Sequence, residues 1–471
     1  MLRHCCLLLV ILCLLGDLLP VAAQDTTATT ANKGGYLIVR HINVTGNKKT
    51  RTSIILRELN VVPGDTIYLN NLAETLEENR KQLLNTSLFL NVTANVVNWE
   101  GEEADITFDV WERWYTIAVP VLKLADRNFN QWWVEKKHSL SRVNIGLKGT
   151  QGNLTGRNDA LYAAIQFGYT QRIVFQYSVP YIDKKYQHGL GILFSYSRNR
   201  EVNDSTSFNK QLFFRQDDFV RQVYNIGLTY SYRPGINTRH QATLTYNYEE
   251  VADSVLLINP NYLGDGRKRA QFLDLVYRVT YTQADSWQYP LRGIHLLGEI
   301  GKRGFAGLND VNDVHIRINA AKYWQLYAKT YFALGLRSQA KFGAQQPYIN
   351  RQALGYSDDY LRGLEYYVID GTSFAILKST LRQEVLSTRF RLPIVPKKFS
   401  AVPLRIFVKA YGDTGYSYSK FPGNGTLNNQ MLYTGGVGLD IVSFYDTCLR
   451  IEYSVNQLGQ KGLFLHTSID M

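Results

Sequence analysis

The sequence predicts a transmembrane β-barrel of about 16 antiparallel strands, preceded by one small α+β domain. Three observations predict this fold: a secretory start, no apolar run long enough for a transmembrane helix, and long stretches of alternating hydrophobicity rich in tyrosine. The chain has 471 residues, of which 13% are aromatic and 32 are Tyr. Because lipid offers no hydrogen-bond partners, only helices and closed barrels cross it, and the barrel is the structure that fits this sequence.

The first 23 residues have the pattern of a secretory signal peptide. Arg3 supplies a positive charge, an almost entirely apolar run covers Leu7 to Leu15, and small residues for cleavage stand at Val21-Ala22-Ala23. The apolar run is too short for a membrane anchor. We therefore predict a signal peptide over residues 1–23 and a flexible Thr/Ala-rich linker over residues 24–34.

Cysteine content and charge exclude several kinds of site. Three of the 4 cysteines lie in the predicted signal and only Cys448 remains, so no internal disulfide is expected. We find no C-x-x-C pair or His/Cys cluster that predicts a metal or cofactor. The net charge is +12. In an exported protein we assign this charge to loops and a polar lumen, and we expect no nucleic-acid partner.

Residues 35–113 mix strand and helix patterns. Alternating apolar residues predict a first strand from Leu37 to Val44, and a short helix suits Thr52 to Leu59. Asn70 or Asn71 is placed to cap a longer helix. Two alternating strands, the first from Leu88 to Val97, complete a β-α-α-β-β unit that is large enough to bury a small core.

From residue 114 to residue 471 the helical pattern stops and alternation with period two takes over. One row, for example Ile226, Leu228 and Tyr230, is apolar, while the alternate row carries Gly, Ser, Thr and Asn. Long strands with a polar second row favour a membrane barrel over a soluble sandwich. We find roughly seventeen extended runs. Two of them, 207–215 and 219–232, lie close enough to form one bent strand, which would make the number of strands even, as expected of such barrels.

A long connection over residues 342–372 interrupts the barrel pattern. Its many tyrosines favour a folded loop inside the barrel over a mobile excursion. Asp413 has the parity of lumen-facing side chains in its strand, so an inward loop would place Arg362 against it. We hypothesise that this pair locks the loop, because breaking a buried ion pair typically costs about 3–5 kcal/mol. The alternative is that both side chains are solvated in a wide pore.

Three short motifs lie in the barrel segment: Leu361-Arg362-Gly363-Leu364, Asp413-Thr414-Gly415 and Tyr289-Pro290-Leu291-Arg292-Gly293. They resemble the (V/I)RG(F/Y) loop motif, the D-x-G strand motif and a third common segment of BamA/TamA-type outer-membrane assembly barrels, whose relatives include two-partner-secretion translocases. The unit over residues 35–113 resembles a POTRA domain. Two departures are that Leu364 replaces the usual aromatic residue and that the chain has room for one POTRA unit, where assembly barrels often have several.

The resemblance implies a non-enzymatic factor that inserts or translocates β-rich proteins at the outer membrane, with its N-terminal domain in the periplasm. It implies as partners unfolded outer-membrane or secreted proteins, subunits of an assembly complex, and outer-membrane lipid or lipopolysaccharide, and it implies no cofactor. The implied site residues form two motifs. The latch motif consists of Arg362, Gly363, Leu364, Asp413 and Gly415. The barrel motif consists of Tyr289, Pro290 and Gly293.

We expect substrates to be captured as added strands, either at the strand from Leu88 to Val97 or at the barrel seam. The seam would join Tyr115–Leu124 to Gly462–Met471, and an ordinary closed seam is the alternative. Other functions fit a barrel as well: a secretion pore for one partner protein, an outer-membrane hydrolase or a porin. A hydrolase needs a compact catalytic group, and we interpret the lumen-parity histidines instead as scattered: His295, His315 and His466.

Overall fold

A computed structural model describes most of the chain. The predicted signal peptide and linker, and the end of the predicted last strand, lie outside the described residues. The described residues are 35–124, 143–343, 347–391, 401–443 and 447–466.

The N-terminal domain is a four-stranded sheet with two helices on one face. The strand order is β2-β1-β4-β3, with β1 and β4 parallel and the other pairs antiparallel. The elements are β1 (Tyr36–Thr45), α1 (Thr52–Arg57), β2 (Thr66–Tyr68), α2 (Leu69–Asn85), β3 (Phe89–Glu100) and β4 (Glu103–Glu112). The order of the predicted elements is therefore found, with the short strand β2 added between the helices.

The predicted cap of the longer helix was wrong. Helix α2 begins at Leu69, directly after strand β2, and no side chain caps it. The backbone N–H of Leu69 instead donates to the carbonyl of Gly35 at 3.0 Å. Pairing of β2 with β1 sets the position of this helix end, so the local Asn signal does not decide it.

The helices pack on the sheet through a small apolar core. Ile54 and Ile55 of α1 and Leu83 of α2 are buried against Phe108 of β4. Tyr181, which belongs to a turn of the barrel, joins this same cluster and is 1% exposed. The core of the domain is thus completed by the barrel.

Sixteen strands form one antiparallel sheet in the described part of the chain, as the alternation predicted. They are β5 (Thr116–Leu124), β6 (Val143–Gly152), β7 (Ala160–Gly168), β8 (Thr170–Val179), β9 (His188–Asn199), β12 (Arg221–Tyr232), β13 (Thr238–Val251), β14 (Arg269–Ala284), β15 (Gly293–Phe305), β16 (Leu308–Tyr327), β17 (Thr330–Phe342), β20 (Ser373–Arg391), β21 (Ala401–Tyr418), β22 (Met431–Val442), β23 (Cys448–Asn456) and β24 (Lys461–His466). The sheet curls into a β-barrel. β5 and β24 stand at the two ends of the strand order.

The prediction that runs 207–215 and 219–232 form one bent strand was wrong. β10 (Glu201–Ser207) and β11 (Lys210–Arg215) form a separate two-stranded hairpin, and β12 pairs with β9 instead. Phe208 and Asn209 at its tip both have positive φ, 48° and 60°, which is the geometry of a tight hairpin turn. The wall has sixteen strands because this hairpin lies outside it.

The apolar row of the alternation faces outward. Ile226, Leu228 and Tyr230 are 52%, 59% and 45% exposed. In the strands covered by the long loop, the residues of the alternate, inward row are buried. Such an outward apolar surface matches acyl chains and would be unfavourable in water. No helix in the described ranges combines the length and the apolar character required to cross a membrane.

Connections at the two ends of the barrel differ in size. At the end near the N-terminal domain most are short, for example residues 233–237 between β12 and β13. The opposite end holds the β10–β11 hairpin, a connection with α3 (Asp253–Ile258), the connection over 419–430, and the long loop between β17 and β20. The large connections can therefore contact one another across this far end.

We predict that arginine is costly on the outward face and tolerated on the inward face of β13. Leu244 is exposed in the apolar row, whereas its neighbour Thr243 lines the cavity inside the barrel. In lipid vesicles, urea unfolding followed by tryptophan fluorescence should show that Leu244→Arg lowers the free energy of unfolding by about 2–4 kcal/mol. Thr243→Arg, at the same depth, is the control and should cost much less. Equal losses would contradict the assigned faces.

Candidate functional site

The long loop between β17 and β20 folds back against the inner side of the wall. It contains a short 3-10 helix (Tyr348–Asn350) and two paired strands, β18 (Gln352–Leu354) and β19 (Ile369–Asp370). Its leucines join a buried cluster with wall residues Phe374, Ile376 and Leu432. The loop is thus a folded part of the barrel interior.

Arg362 of the loop is 1% exposed and contacts Asp413 of β21, which is 4% exposed. Its Nε donates to Asp413 Oδ2 at 2.9 Å, its Nη2 pairs with Oδ1, and its backbone N–H donates to Oδ2 at 3.1 Å. The guanidinium also donates to Thr380 Oγ1 at 3.0 Å and to the carbonyl of Ser379 at 3.2 Å. This geometry satisfies a buried charge through a planar, bidentate pair.

The aromatic ring of Tyr411 completes the pocket for Arg362. The guanidinium carbon lies 4.1 Å from the ring centroid, close enough for a cation–π contact. Tyr411 has the same inward parity as Asp413, two residues along β21. A lysine at position 362 would lose both the bidentate geometry and the stacking.

The glycines of the two motifs make room for the loop. Gly363 has φ +92°, and a Cβ there would lie 2.8 Å from the Cβ of Ser454 in β23. Its carbonyl accepts a hydrogen bond from Asn456 Nδ2 at 2.8 Å. A Cβ on Gly415 would lie 3.0 Å from Leu361 Cδ1. Close approach of loop and wall therefore requires small residues on both sides.

Leu364 is 3% exposed and packs in the buried cluster. The site thus buries an aliphatic side chain where the resemblance implied an aromatic one. The next residue, Glu365, accepts a hydrogen bond from the Gly363 backbone N–H at 2.7 Å. This contact stabilises the turn that presents Arg362.

The barrel motif lies in the turn before β15, away from the latch. Tyr289 is 3% exposed, and its hydroxyl donates to Asp440 Oδ2 of β22 at 2.7 Å. Pro290 is buried in the same turn. Gly293 has φ +116°, and a Cβ there would lie 2.1 Å from the carbonyl oxygen of Gln283. These residues fix the turn and do not contact Arg362 in the described structure.

A buried charge cluster contacts the barrel motif, and sequence reasoning missed it. Lys409 Nζ lies 2.6 Å from Asp440 Oδ1 and 2.6 Å from Glu452 Oε1, and all three side chains are at most 1% exposed. Asp440 also accepts from Tyr289. Strand parity could have indicated part of this cluster, because Lys409 lies on the same inward row as Asp413.

The other residues singled out from the sequence lie elsewhere. Cys448 is buried in an apolar cluster with Tyr289 and Phe407. His295 Nδ1 contacts Thr282 Oγ1 at 2.8 Å, and His315 lies 3.7 Å from Glu299. His466 lies beside a carboxylate of the loop and a carboxylate of β23.

The N-terminal domain is held against the barrel by a buried ion pair. Glu58, 2% exposed, accepts from Arg233 at 2.6 and 2.8 Å and from the Tyr181 hydroxyl at 2.8 Å. Burial by itself raises the pKa of Glu58, but the charges of Arg233 and Arg57 and these hydrogen bonds outweigh it and lower the pKa below its ordinary value. The carboxylate is therefore ionised in the docked state.

Two further contacts support this docking. Thr50 Oγ1 donates to the Glu112 carboxylate at 2.6 Å and accepts from Asn153 Nδ2 in the turn after β6 at 2.8 Å. Asn85, the last residue of α2, donates to the carbonyl of Ala284 at 3.1 Å. The domain thus contacts four separate turns at its end of the barrel, those after β6, β8, β12 and β14.

A large cavity lies between the domain and the inner wall. Its volume is about 1040 Å³, and its lining includes charged side chains of both signs. The domain contributes residues of α2 and those beside it, while strands β8, β9 and β12–β16 contribute the wall. Charged residues of the lining include Glu58, Glu78, Lys81, Arg239, Arg278 and Glu299. The cavity is therefore shared by domain and barrel.

The family described as "POTRA: Surface antigen variable number repeat" matches residues 37–113. The N-terminal domain is a POTRA domain. No curated protein matches the sequence.

The chain is similar to three solved structures over most of its length, and the first of them, with a TM-score above 0.5, shares its fold. CdiB from Escherichia coli is 11% identical, with a TM-score of 0.52, covering 92% of this chain and 74% of that chain. BamA from Haemophilus ducreyi lacking POTRA domains 1–3 is 16% identical, with a TM-score of 0.48 and coverages of 92% and 83%. CdiB from Acinetobacter baumannii is 12% identical, with a TM-score of 0.48 and coverages of 91% and 73%. The predicted fold, one POTRA domain followed by a 16-stranded β-barrel, is confirmed.

We predict strong energetic coupling between Arg362 and Asp413. Arg362→Ala and Asp413→Ala should each lower the free energy of unfolding by about 3–5 kcal/mol, because each leaves a buried charge without its partner. The double variant should cost clearly less than the sum of the two. Urea unfolding of the four proteins in vesicles measures this cycle. Additive losses would contradict the lock.

We predict that POTRA docking weakens in acid. The pKa of Glu58 is lowered in the docked state. Its contribution to the stability of docking is therefore complete above the ordinary glutamate pKa, about 4.3. It is lost as the pH falls through the lowered pKa. Hydrogen exchange in α1, corrected for its intrinsic pH dependence, should accelerate in this window. Glu58→Gln should remove the pH dependence, and an unchanged profile in that variant would assign it to another group.

Proposed function

We propose that the protein assembles or exports β-rich proteins at the outer membrane, with its POTRA domain in the periplasm. The observation that carries this proposal is the cavity of about 1040 Å³ lined jointly by POTRA helix α2 and the inner barrel wall. A substrate held by the POTRA domain would enter the barrel without leaving the protein. Charges of both signs in the lining suit an extended polypeptide better than one ion type.

Strand addition is the proposed mode of capture. β3 lies at the edge of the POTRA sheet, beyond β4 in the order β2-β1-β4-β3. An edge strand presents backbone N–H and C=O groups that an incoming strand can pair with. The ends of the barrel sheet, β5 and β24, are the second proposed place of capture, since a seam is where strands can be added.

The loop between β17 and β20 is the proposed gate. It lies across the inner side of β20 and β21 and is anchored by Arg362 on Asp413. A second anchor is Asp359, which accepts from Arg317 at 2.7 and 2.8 Å. Passage through the barrel would require these pairs to break, whereas insertion of a substrate beside the barrel would leave them intact.

A dedicated secretion pore for one partner protein is the second candidate. The shared cavity favours it, because both the POTRA domain and the barrel wall contribute to its lining. In either function, the outward apolar rows would contact outer-membrane lipid, including lipopolysaccharide.

We predict that depletion of the protein changes the outer-membrane proteome in a way that identifies its role. Broad loss of unrelated barrels marks a general assembly factor, whereas loss of one or a few exported proteins marks a dedicated translocase. Quantitative proteomics of purified outer membranes measures this. An unchanged proteome would contradict both roles and leave a porin or an enzyme as the function.

The same depleted cells test the gate. Arg362→Ala should fail to restore the lost proteins although the barrel itself is inserted. Asp358→Asn is the matched control, because this exposed side chain lies on the same loop outside the latch. Full rescue by Arg362→Ala would show that the latch is dispensable for transport.

A further inference from the structure

Three side chains from three elements meet beside the last described strand. They are Glu365 of the loop, Glu452 of β23 and His466 of β24, and one ligand atom from each lies within 4.8 Å of the others. Glu452 is 1% exposed, Glu365 14% and His466 18% at the side chain. Carboxylate oxygens with an imidazole nitrogen form a ligand set typical of divalent transition metals.

The distances fit a metal better than direct hydrogen bonds. His466 Nε2 lies 3.4 Å from Glu365 Oε1 and 3.5 Å from Glu452 Oε2. A charge-assisted N–H···O bond is about 2.7–2.9 Å long. Around tetrahedral zinc, bonds of about 2.0–2.2 Å place neighbouring ligand atoms about 3.3–3.5 Å apart. The two separations from His466 Nε2 match the edges of such a tetrahedron.

Two of the three facing atoms have no hydrogen bond in the part of the chain that the structure describes. Within the described residues, Glu365 Oε1 and His466 Nε2 are buried atoms with no hydrogen-bond partner. Leaving such atoms unsatisfied costs about 1–3 kcal/mol each. A cation between them would satisfy both.

The opposite atom of every ligand is held in place. Glu365 Oε2 accepts from the Gly363 N–H at 2.7 Å, and Glu452 Oε1 pairs with Lys409 at 2.6 Å. His466 Nδ1 lies 3.5 Å from the Tyr360 hydroxyl, whose ring stacks on the imidazole at 5.6 Å. Outer partners of this kind orient the ligands of metal sites. Asp440 neutralises the ammonium of Lys409, which reduces the electrostatic repulsion between this ammonium and a bound cation.

We propose that Glu365, Glu452 and His466 bind one divalent transition-metal ion of the zinc type. The protein supplies three ligands, which leaves the fourth tetrahedral position for water or another small ligand. The ion would join the loop to β23 and to β24, so it would fasten the gate to the strand at the end of the barrel sheet. This site goes beyond the proposed function and is tested without any transport assay.

The test is zinc binding by the full-length protein in detergent micelles. After removal of metal with a chelator, titration with zinc chloride near neutral pH should show one saturable site in calorimetry. His466→Ala and Glu365→Gln should weaken binding by about tenfold or more. Tyr360→Phe keeps the ring and removes the outer hydroxyl, so it should also weaken binding, although no ligand is lost.

The matched control is His295→Ala, which removes an inward histidine that contacts Thr282 instead of a carboxylate. It should bind zinc as the unmodified protein does. Heat-modifiable migration in gels confirms that each variant is folded, and Glu365→Gln, which preserves side-chain size, is decisive if His466→Ala does not fold. Absence of saturable binding, or unchanged binding in both ligand variants, would overturn the proposal.

Discussion

Lipid cannot hydrogen-bond to a peptide group, so the wall of this barrel must satisfy its own N–H and C=O groups through neighbouring strands. That requirement fixes the direction of every side chain, because alternate residues point to lipid or to the interior. Within the lipid-facing span, charged residues are therefore favoured on the inner row, where they pair with residues of opposite sign. Arg362 and Asp413, and Lys409 with Asp440 and Glu452, are the result of this confinement.

Much of the fold was predictable because period two is a local property. Leu228 and its neighbours indicated an outward row, and the structure exposes them. The hairpin β10–β11 was misjudged because alternation is the same in a barrel strand and in a hairpin outside the barrel. Only the pairing of β12 with β9 separates them, and pairing is a non-local property. The start of α2 was misjudged for the same reason, since strand β2 decides it.

The site was predictable where a motif and parity agreed. Arg362 and Asp413 were singled out together, and they are in contact. The Lys409 cluster and the carboxylates around His466 were not, because Asp440, Glu452 and Glu365 lie on three different segments with no common spacing. Docking of the POTRA domain could not be predicted from the sequence either, because Glu58 and Arg233 are 175 residues apart. Charges brought together by curvature of a sheet leave no short-range signal in a sequence.

Asn209, at the tip of the β10–β11 hairpin, connects three of the large far-end connections. Its Nδ2 donates to the Val368 carbonyl of the loop at 3.2 Å, while its Oδ1 accepts from the N–H groups of Thr426 and Leu427 at 2.7 and 3.0 Å. Displacement of one connection therefore pulls on the other two. A ligand that clamps the hairpin from the far side would therefore hold the interior loop in place through these hydrogen bonds.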